Sequence, residues 1–459
     1  MNVITRCSAR AATTLSLAVA VTLAAPAPLH AQQPAPQRLS LADAVRMAAR
    51  QSAIVQTAGL QTSAANARVS ETRSAFLPNF GAGATEMQTT LNSATFGFNF
   101  PTQPGQPPLL DPLGQIIGPV ATLDVRAHAS QTLFDPAALG RLRASRAGAA
   151  AVGVGESAAA EQAAAQAAIA YLQALRADAQ LSARLADSSL AGDLLKIAQD
   201  QLAAGVGVGL DVTRAESQLS GVKAQLIAAR NDEARSRLNL ARALNLPLET
   251  PFTLTDSLTA LNGEGAAAQD VDAAVAEAMR QRPDVRALQA QMRAAQAQIT
   301  AIRDERLPSV NAFANGGYIG LRLSHMLATY TWGVELSVPV FDGNRRDARV
   351  TEQDAAIREL QVREHDLQQQ VAADVRGAVL DLSSARQAVD AARERVRLAE
   401  QEVSQARDRF RAGVAGNADV ITASLTLNGA RTQLIDAETA FQSARVALAR
   451  AEGRTTSLQ

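Results

Sequence analysis

Four residue types are scarce in this chain, and each scarcity excludes something. There is one cysteine, Cys7, so no disulfide framework can hold the fold together. There are four histidines, His30, His128, His325 and His365, and no His-x-x-x-His or Cys cluster accompanies them, so no metal site and no cofactor is expected. Aromatic residues make up 3%, with a single tryptophan, Trp332, and alanine supplies much of the apolar content, so few large side chains can fill a wide globular interior. Net charge is also missing. Forty-four basic residues balance 44 acidic ones, which argues against a nucleic-acid surface. Neither a nucleophile elbow nor a paired-carboxylate motif stands out, so an enzyme is not expected.

The longest apolar run, residues 11–25, follows Arg6 and Arg10 and precedes P-A-P-L-H-A. That run is too short to anchor a helix in a bilayer, and its flanks fit a signal peptide, 1–31, cut near Ala31. Cys7 precedes the run and would leave with it, so no lipid anchor is expected. An exported chain without a spanning helix makes a β-barrel worth considering.

Strand patterns are present. In T-Y-T-W-G-V-E-L-S-V-P-V-F-D (329–342), Tyr330, Trp332, Val334, Leu336 and Val338 share one parity, and Thr331, Gly333, Glu335 and Ser337 share the other. In 120–133, Leu123, Val125, Ala127 and Ala129 alternate with Asp124, Arg126, His128 and Ser130. Four strands are expected, at about 78–100, 120–134, 308–320 and 329–341. The first ends in F-G-F-N-F, with Phe96, Phe98 and Phe100 on one face, before the Pro-rich stretch 101–108.

The chain is written twice. Residues 198–219 and 406–427 match at nine of 22 positions without a gap, including Gly205/Gly413, Asp211/Asp419 and Leu219/Leu427. Leu77-Pro78 is echoed by Leu307-Pro308, and Phe134-Asp135 by Phe341-Asp342. The repeats are 32–260, which includes the linker 245–259, and 261–459. Each reads helix, strand, loop, strand, very long helix, Gly turn, long helix.

Those helices carry a coiled-coil seam. Val375, Ala378, Leu382, Ala385, Val389, Ala392, Val396, Ala399, Val403, Ala406 and Phe410 form an unbroken a/d repeat. The run from Val420 to Ala451 does the same. The helix starting at Pro136 predicts a length of about 100 Å. A compact globule of this many residues has a radius of gyration of about 22 Å, so the molecule is expected to be elongated. Four strands cannot close a barrel alone, and open edges cannot sit in lipid, so a lipid-facing sheet requires several chains.

Taken together, R-L-S-L-A-D-A-V (38–45), R-P-D-V-R-A-L-Q-A-Q-M-R-A-A-Q-A-Q-I (282–299), L-P-S-V (307–310), P-V-F-D-G-N-R-R (339–346) and A-G-V-A-G-N-A-D-V-I (412–421), in order and in duplicate, resemble the outer membrane efflux protein family. These are the TolC-like channels of tripartite pumps and type I secretion. The resemblance implies a mixed α and β fold and a homotrimer. Twelve strands would form one transmembrane β-barrel, continuous with a periplasmic α-helical coiled-coil barrel. It implies as partners a periplasmic adaptor, an inner-membrane transporter of the RND, ABC or MFS class, and outer-membrane lipid. It places Asp419 and Asp211 at the periplasmic entrance. The family often has a second acid where this chain has Thr422 and a basic residue where it has Ala415.

Several site expectations follow. The turns at Gly205, Gly207, Gly209, Gly413 and Gly416 are expected to form the helical tips that meet the adaptor. Asp211 and Asp419 follow those turns directly and are expected as N-caps, Asp419 also as a charged ring. Trp332, Tyr330, Phe134 and Phe341 are expected at the membrane interfaces, with Glu335 and Ser337 facing the lumen. G-V-G-V-G (205–209) is not expected to bind phosphate, because no strand precedes it and the other repeat carries the same turn. The helix-surface Arg and Glu are expected to be solvated faces. The alternative function is a periplasmic coiled-coil adaptor or structural protein.

Overall fold

A computed structural model describes residues 37–96, 114–259 and 270–458. The expected signal peptide, Cys7, Phe98, Phe100 and the Pro-rich stretch lie outside the described residues. Repeat one contributes β1 (Gln37–Leu39), α1 (Leu41–Gln51), α2 (Ala53–Ser74), β2 (Asn79–Asn92), β3 (Ile116–Phe134), α3 (Pro136–Ala203) and α4 (Gly209–Ala243). The inter-repeat segment contributes β4 (Phe252–Leu254). Repeat two contributes α5 (Val271–Gln281), α6 (Pro283–Asp304), β5 (Ser309–Gly320), β6 (Met326–Ser337), α7 (Arg345–Arg411) and α8 (Asn417–Ala451).

Local sequence explains where the helices begin. The Asp135 side chain accepts a hydrogen bond from the Ala138 N–H at 2.9 Å, and Pro136 occupies the first turn, where its missing N–H costs nothing. Ser40 and Asp43 form a capping box at α1. At 68 and 67 residues, α3 and α7 each run about 100 Å.

The four long strands form one antiparallel sheet in the order β2-β3-β5-β6. Its bounds differ from the sequence expectation. The first strand ends at Asn92, and Ser93–Phe96 is a single 3₁₀ turn. There the Asn92 side chain accepts from the Ala94 N–H and the Thr95 hydroxyl donates to the Asn92 carbonyl, a local bonding pattern that competes with the ladder. The second strand begins four residues early, at Ile116. The fourth runs from Met326 to Ser337 and stops short of Pro339, which has no N–H to give a ladder. Phe341 therefore lies outside the strand.

The short strands β1 and β4 pair in parallel, so the inter-repeat segment is tied to the start of the described chain. Beside them is the main core, built on Leu39, Val45, Tyr171, Leu172, Leu240 and Phe252. The Tyr171 hydroxyl lies 2.9 Å from the Leu39 carbonyl and 3.0 Å from the Asp256 carboxylate. Burial, with the nearby Asp256 charge second, pushes that hydroxyl's pKa above the usual tyrosine range.

Each long helix is flanked by two shorter ones laid end to end. The lateral order is α2 and α4, then α3, then α6 and α8, then α7. No residue of either predicted seam is fully exposed: Val375, Val389, Phe410, Val420 and Leu427 are buried, and Leu382, Val396 and Leu434 are half-buried. Val362, Leu380 and Leu398 are exposed on α7. Eighteen residues apart, or five turns, they form one line on the side opposite the α8 contact. On α4, Ile227 and Leu238 are exposed on the side away from α3.

At one crossing the helices approach so closely that only glycine fits. A Cβ on Gly140 of α3 would stand 2.8 Å from the Ala301 Cα of α6. Gly140→Val is expected to destabilise the chain by about 1–3 kcal/mol through overpacking. Thermal unfolding in detergent should show a lowered midpoint, whereas Gly148→Ala, with open space around it, should not.

Candidate functional site

At the end of the helices far from the sheet, α3–α4 and α7–α8 turn in the same way. Gly205 and Gly413 take φ of 75° and 71°, the left-handed region that closes a helix without a Cβ clash. The N–H of Gly205 donates to the Leu202 carbonyl and that of Val206 to Gln201; the N–H of Gly413 donates to Phe410 and that of Val414 to Arg409. A Cβ on Gly207 would meet the Gln201 carbonyl carbon at 2.9 Å, so that glycine is needed for space. Gly209 and Gly416 face open space. Val206, Val208, Leu210 and Val414 are exposed here.

The two aspartates are not caps. Val208 and Gly416 hold the N-cap positions, neither with a side-chain cap bond, and Asp211 and Asp419 are the third residues of α4 and α8. Each helix starts earlier than the sequence suggested, because the turn glycines are its first residue (Gly209) or its cap (Gly416). The two carboxylates also differ from each other. The Asp211 side chain is 14% exposed, 3.8 Å from Arg214, and its backbone carbonyl accepts from the Asn417 amide at 2.6 Å. Asp419 is exposed and makes no salt bridge among the described residues. Thr422 is exposed three residues on, its hydroxyl donating to the Ala418 carbonyl at 2.9 Å.

From roughly 24 Å above the tips, at 1.5 Å per helical residue, the two hairpins are joined by polar links that no sequence motif marks. Asp187 of α3 is buried between Arg184 and Arg431, at 3.2 and 3.4 Å. Burial raises its pKa against the attraction of both guanidinium groups. Arg431 also reaches Glu400 at 3.4 Å, Arg184 bonds Asn428 and Thr432, and Arg176 pairs with Asp436 at 2.8 Å. Here the expectation of solvated helix faces is corrected for Arg184, Asp187 and Arg431, which are covered and join α3 to α8 across the two repeats; Arg176 and Asp436 stay exposed. A groove of about 510 Å³ between α3, α7 and α8 is lined by Asp193, Glu400, Val403, Arg407 and Arg411.

Register divides the sheet into two faces. One carries the rows Phe80–Ala129–Ala314–Trp332 and Ala84–Val125–Tyr318–Ala328. The other carries Gly81–His128–Asn315–Thr331, with Arg126, Asp124 and Glu335 on the same parity. Arg126 and Asp124 form an ion pair at 2.6 Å on that polar face. Trp332 and Tyr330 are 74% and 79% exposed. They stand in the middle rows of the sheet, not at its end, whereas Phe134 and Phe341, also exposed, lie where the sheet meets the helices. Among the described residues, no helix is long and apolar enough to cross a membrane.

Two long antiparallel helical hairpins joined to one two-faced antiparallel sheet make a duplicated chain, each repeat supplying one hairpin and two of the strands. The chain belongs to the outer membrane efflux protein family, whose model matches residues 44–246 and 274–454, one segment in each repeat. It is 24% identical over 282 residues to the outer membrane efflux protein BepC of Brucella suis biovar 1 (strain 1330), an alignment that spans 60% of each chain. Its fold is similar to the CmeC outer membrane channel of Campylobacter jejuni, with a TM-score of 0.71, 16% identity, and 90% and 86% of the two chains covered. It is also similar to the MtrE outer membrane channel of Neisseria gonorrhoeae, with a TM-score of 0.70, 19% identity, and 90% and 88% covered.

Proposed function

We propose that three copies of this chain close into a ring, and that the ring is an exit duct spanning the outer membrane and reaching through the periplasm. One observation carries this reading: the sheet and the helical layer are open at matching edges. The sheet begins at β2 and ends at β6, and the helical layer begins at α2 and α4 and ends at α7. Both outer helical flanks carry exposed apolar side chains, Val362, Leu380 and Leu398 on one and Ile227 and Leu238 on the other. An open sheet edge is not tolerated in lipid, so copies must pair edge to edge. Three copies supply twelve strands, an even number within the range of membrane barrels.

In this reading the duct carries out no chemistry. The apolar sheet face meets outer-membrane lipid, and the parity of Glu335 faces a water-filled lumen. The tip turns, with exposed Val206, Val208, Leu210 and Val414, engage a periplasmic adaptor. An inner-membrane transporter supplies the energy, and substrates pass by diffusion. The chain reaches the outer membrane after cleavage near Ala31, without an acyl anchor. A periplasmic adaptor or structural protein would have little use for a sheet with one face of Trp332, Tyr330, Val334 and Leu336 left exposed.

Single cysteines at Val334 and Glu335, in a Cys7→Ser background, test this. The Val334 site is expected to react with a lipid-soluble probe and the Glu335 site with a water-soluble thiol reagent. Equal labelling of both by the aqueous reagent, or a monomer by native mass spectrometry of the detergent-solubilised protein, would contradict the duct.

A further inference from the structure

The junction between sheet and helices carries a feature that transport does not require. The four segments that meet there, 67–78, 135–146, 300–308 and 338–349, hold ten arginines, no lysine and six carboxylates. Four of those carboxylates already pair with arginines: Asp135 with Arg141, Asp342 with Arg346, Glu305 with Arg349, and Asp347 with Arg306. Arg68, Arg73, Arg143, Arg146, Arg303 and Arg345 remain exposed, with no salt bridge among the described residues. The chain as a whole has no net charge, so this excess is local.

Exposed apolar side chains accompany these arginines. The helices that run up to the sheet end alike, with Arg73 four residues before Leu77 and Arg303 four residues before Leu307. Both leucines are exposed. At the start of α3, Leu139, Arg143 and Arg146 fall at i, i+4 and i+7, on one face, with the exposed leucine nearest the sheet. Before α7, exposed Val340 and Phe341 precede Arg345. One turn separates oily tip from guanidinium in each case, about the depth that separates acyl chains from headgroups.

We infer that this junction binds the phosphates of anionic phospholipids in the leaflet on the helical side of the membrane, with Arg73, Arg143, Arg146 and Arg303 as the main contacts. The inference rests on the duct reading, because it needs the apolar sheet face in lipid. Arginine suits such a contact, because its planar fork takes two phosphate oxygens at once and it is more weakly hydrated than an ammonium group. The apolar partners select a phosphate carried on an acyl chain over a free one. The duplication places the Arg–Leu pair once in each repeat, so a ring would present it at regular intervals.

The test is native mass spectrometry of the detergent-solubilised protein in mixed micelles with equal phosphatidylglycerol and phosphatidylcholine of matched acyl chains. The wild type is expected to retain phosphatidylglycerol at least about fivefold better, the order of one basic side chain's attraction to an anionic surface. The variant Arg73→Gln/Arg143→Gln/Arg146→Gln/Arg303→Gln should lose that preference, and Arg73→Gln/Arg303→Gln should lose part of it. Excess inorganic phosphate should not displace the lipid. Equal retention of the two lipids by the wild type, an unchanged preference in both variants, or displacement by free phosphate would each overturn the inference. Oligomer mass and single-channel conductance of the wild type are read in parallel. If those fail, the duct reading fails, while the lipid preference still reports on the arginines.

Discussion

Val420→Asp is expected to unseat the helical tips. Val420 is 0% exposed and packs with Leu194, Ala198, Ala215 and Phe410, so its cluster draws on α3, α4, α7 and α8 together. A carboxylate placed there has no partner among those apolar side chains, and an unpaired buried charge costs several kcal/mol, about 3–5. The damage should stay local. The cluster around Leu39, Tyr171 and Leu240 shares no residue with the one at the tips, and the sheet is farther still. Hydrogen exchange should therefore show lost protection at the tip ends of α3, α4, α7 and α8, with the sheet and the Tyr171 cluster unchanged. Val420→Leu, which adds a methylene to a filled site, should cost about 1–3 kcal/mol through overpacking, less than the buried charge does. Val396→Asp, at the same kind of seam position but half-buried, should cost less than Val420→Asp, because its carboxylate can reach water. Full protection at the tips of the Val420→Asp protein would mean that the four helices do not meet there.

The seam was legible in the sequence because it obeys a strict 3.5-residue period, and burial follows that period from Val375 to Phe410 and from Val420 to Ala451. The two-faced sheet was legible for the same reason at a period of two. Its ends were not, because they depend on events that periodicity does not record. An Asn92 side chain folded back on its own backbone stops one strand, and Pro339 limits another. Asp211 and Asp419 looked like caps because short acids after a glycine turn usually are. The helices begin earlier, with Val208 and Gly416 at positions that offer no side-chain acceptor. The links around Asp187 could not be seen at all. Arg184 and Asn428 are 244 residues apart, and only the packing of α3 against α8 brings them together. Within each single helix these side chains read as ordinary surface charge.

That difference between the two aspartates leads to the second large effect. Asp419→Ala is expected to lower the cation selectivity of the duct several-fold and to blunt block by divalent and trivalent ions. Asp419 is exposed at the first turn of α8, at the tip, with no salt bridge among the described residues, so in the proposed ring three copies of it would surround one axis. Like charges in a narrow opening focus a negative potential and raise the local cation concentration. Asp211→Ala should change selectivity less, because that carboxylate is largely covered and lies beside Arg214. The folding cost of Asp419→Ala should also be small. No cap bond is lost, and what remains is the attraction of a carboxylate to the helix N-terminus, about 0.3–1 kcal/mol. Thr422→Asp should strengthen block, since it adds a second exposed acid one turn further along the same face. The added repulsion from Asp419 three residues away should cost only a few tenths of a kcal/mol. Planar-bilayer recordings of the purified protein, with reversal potentials in a salt gradient and titration by a trivalent cation, measure all of this. Unchanged selectivity and block in Asp419→Ala, with conductance intact, would mean that the constriction does not lie at the α7–α8 tip.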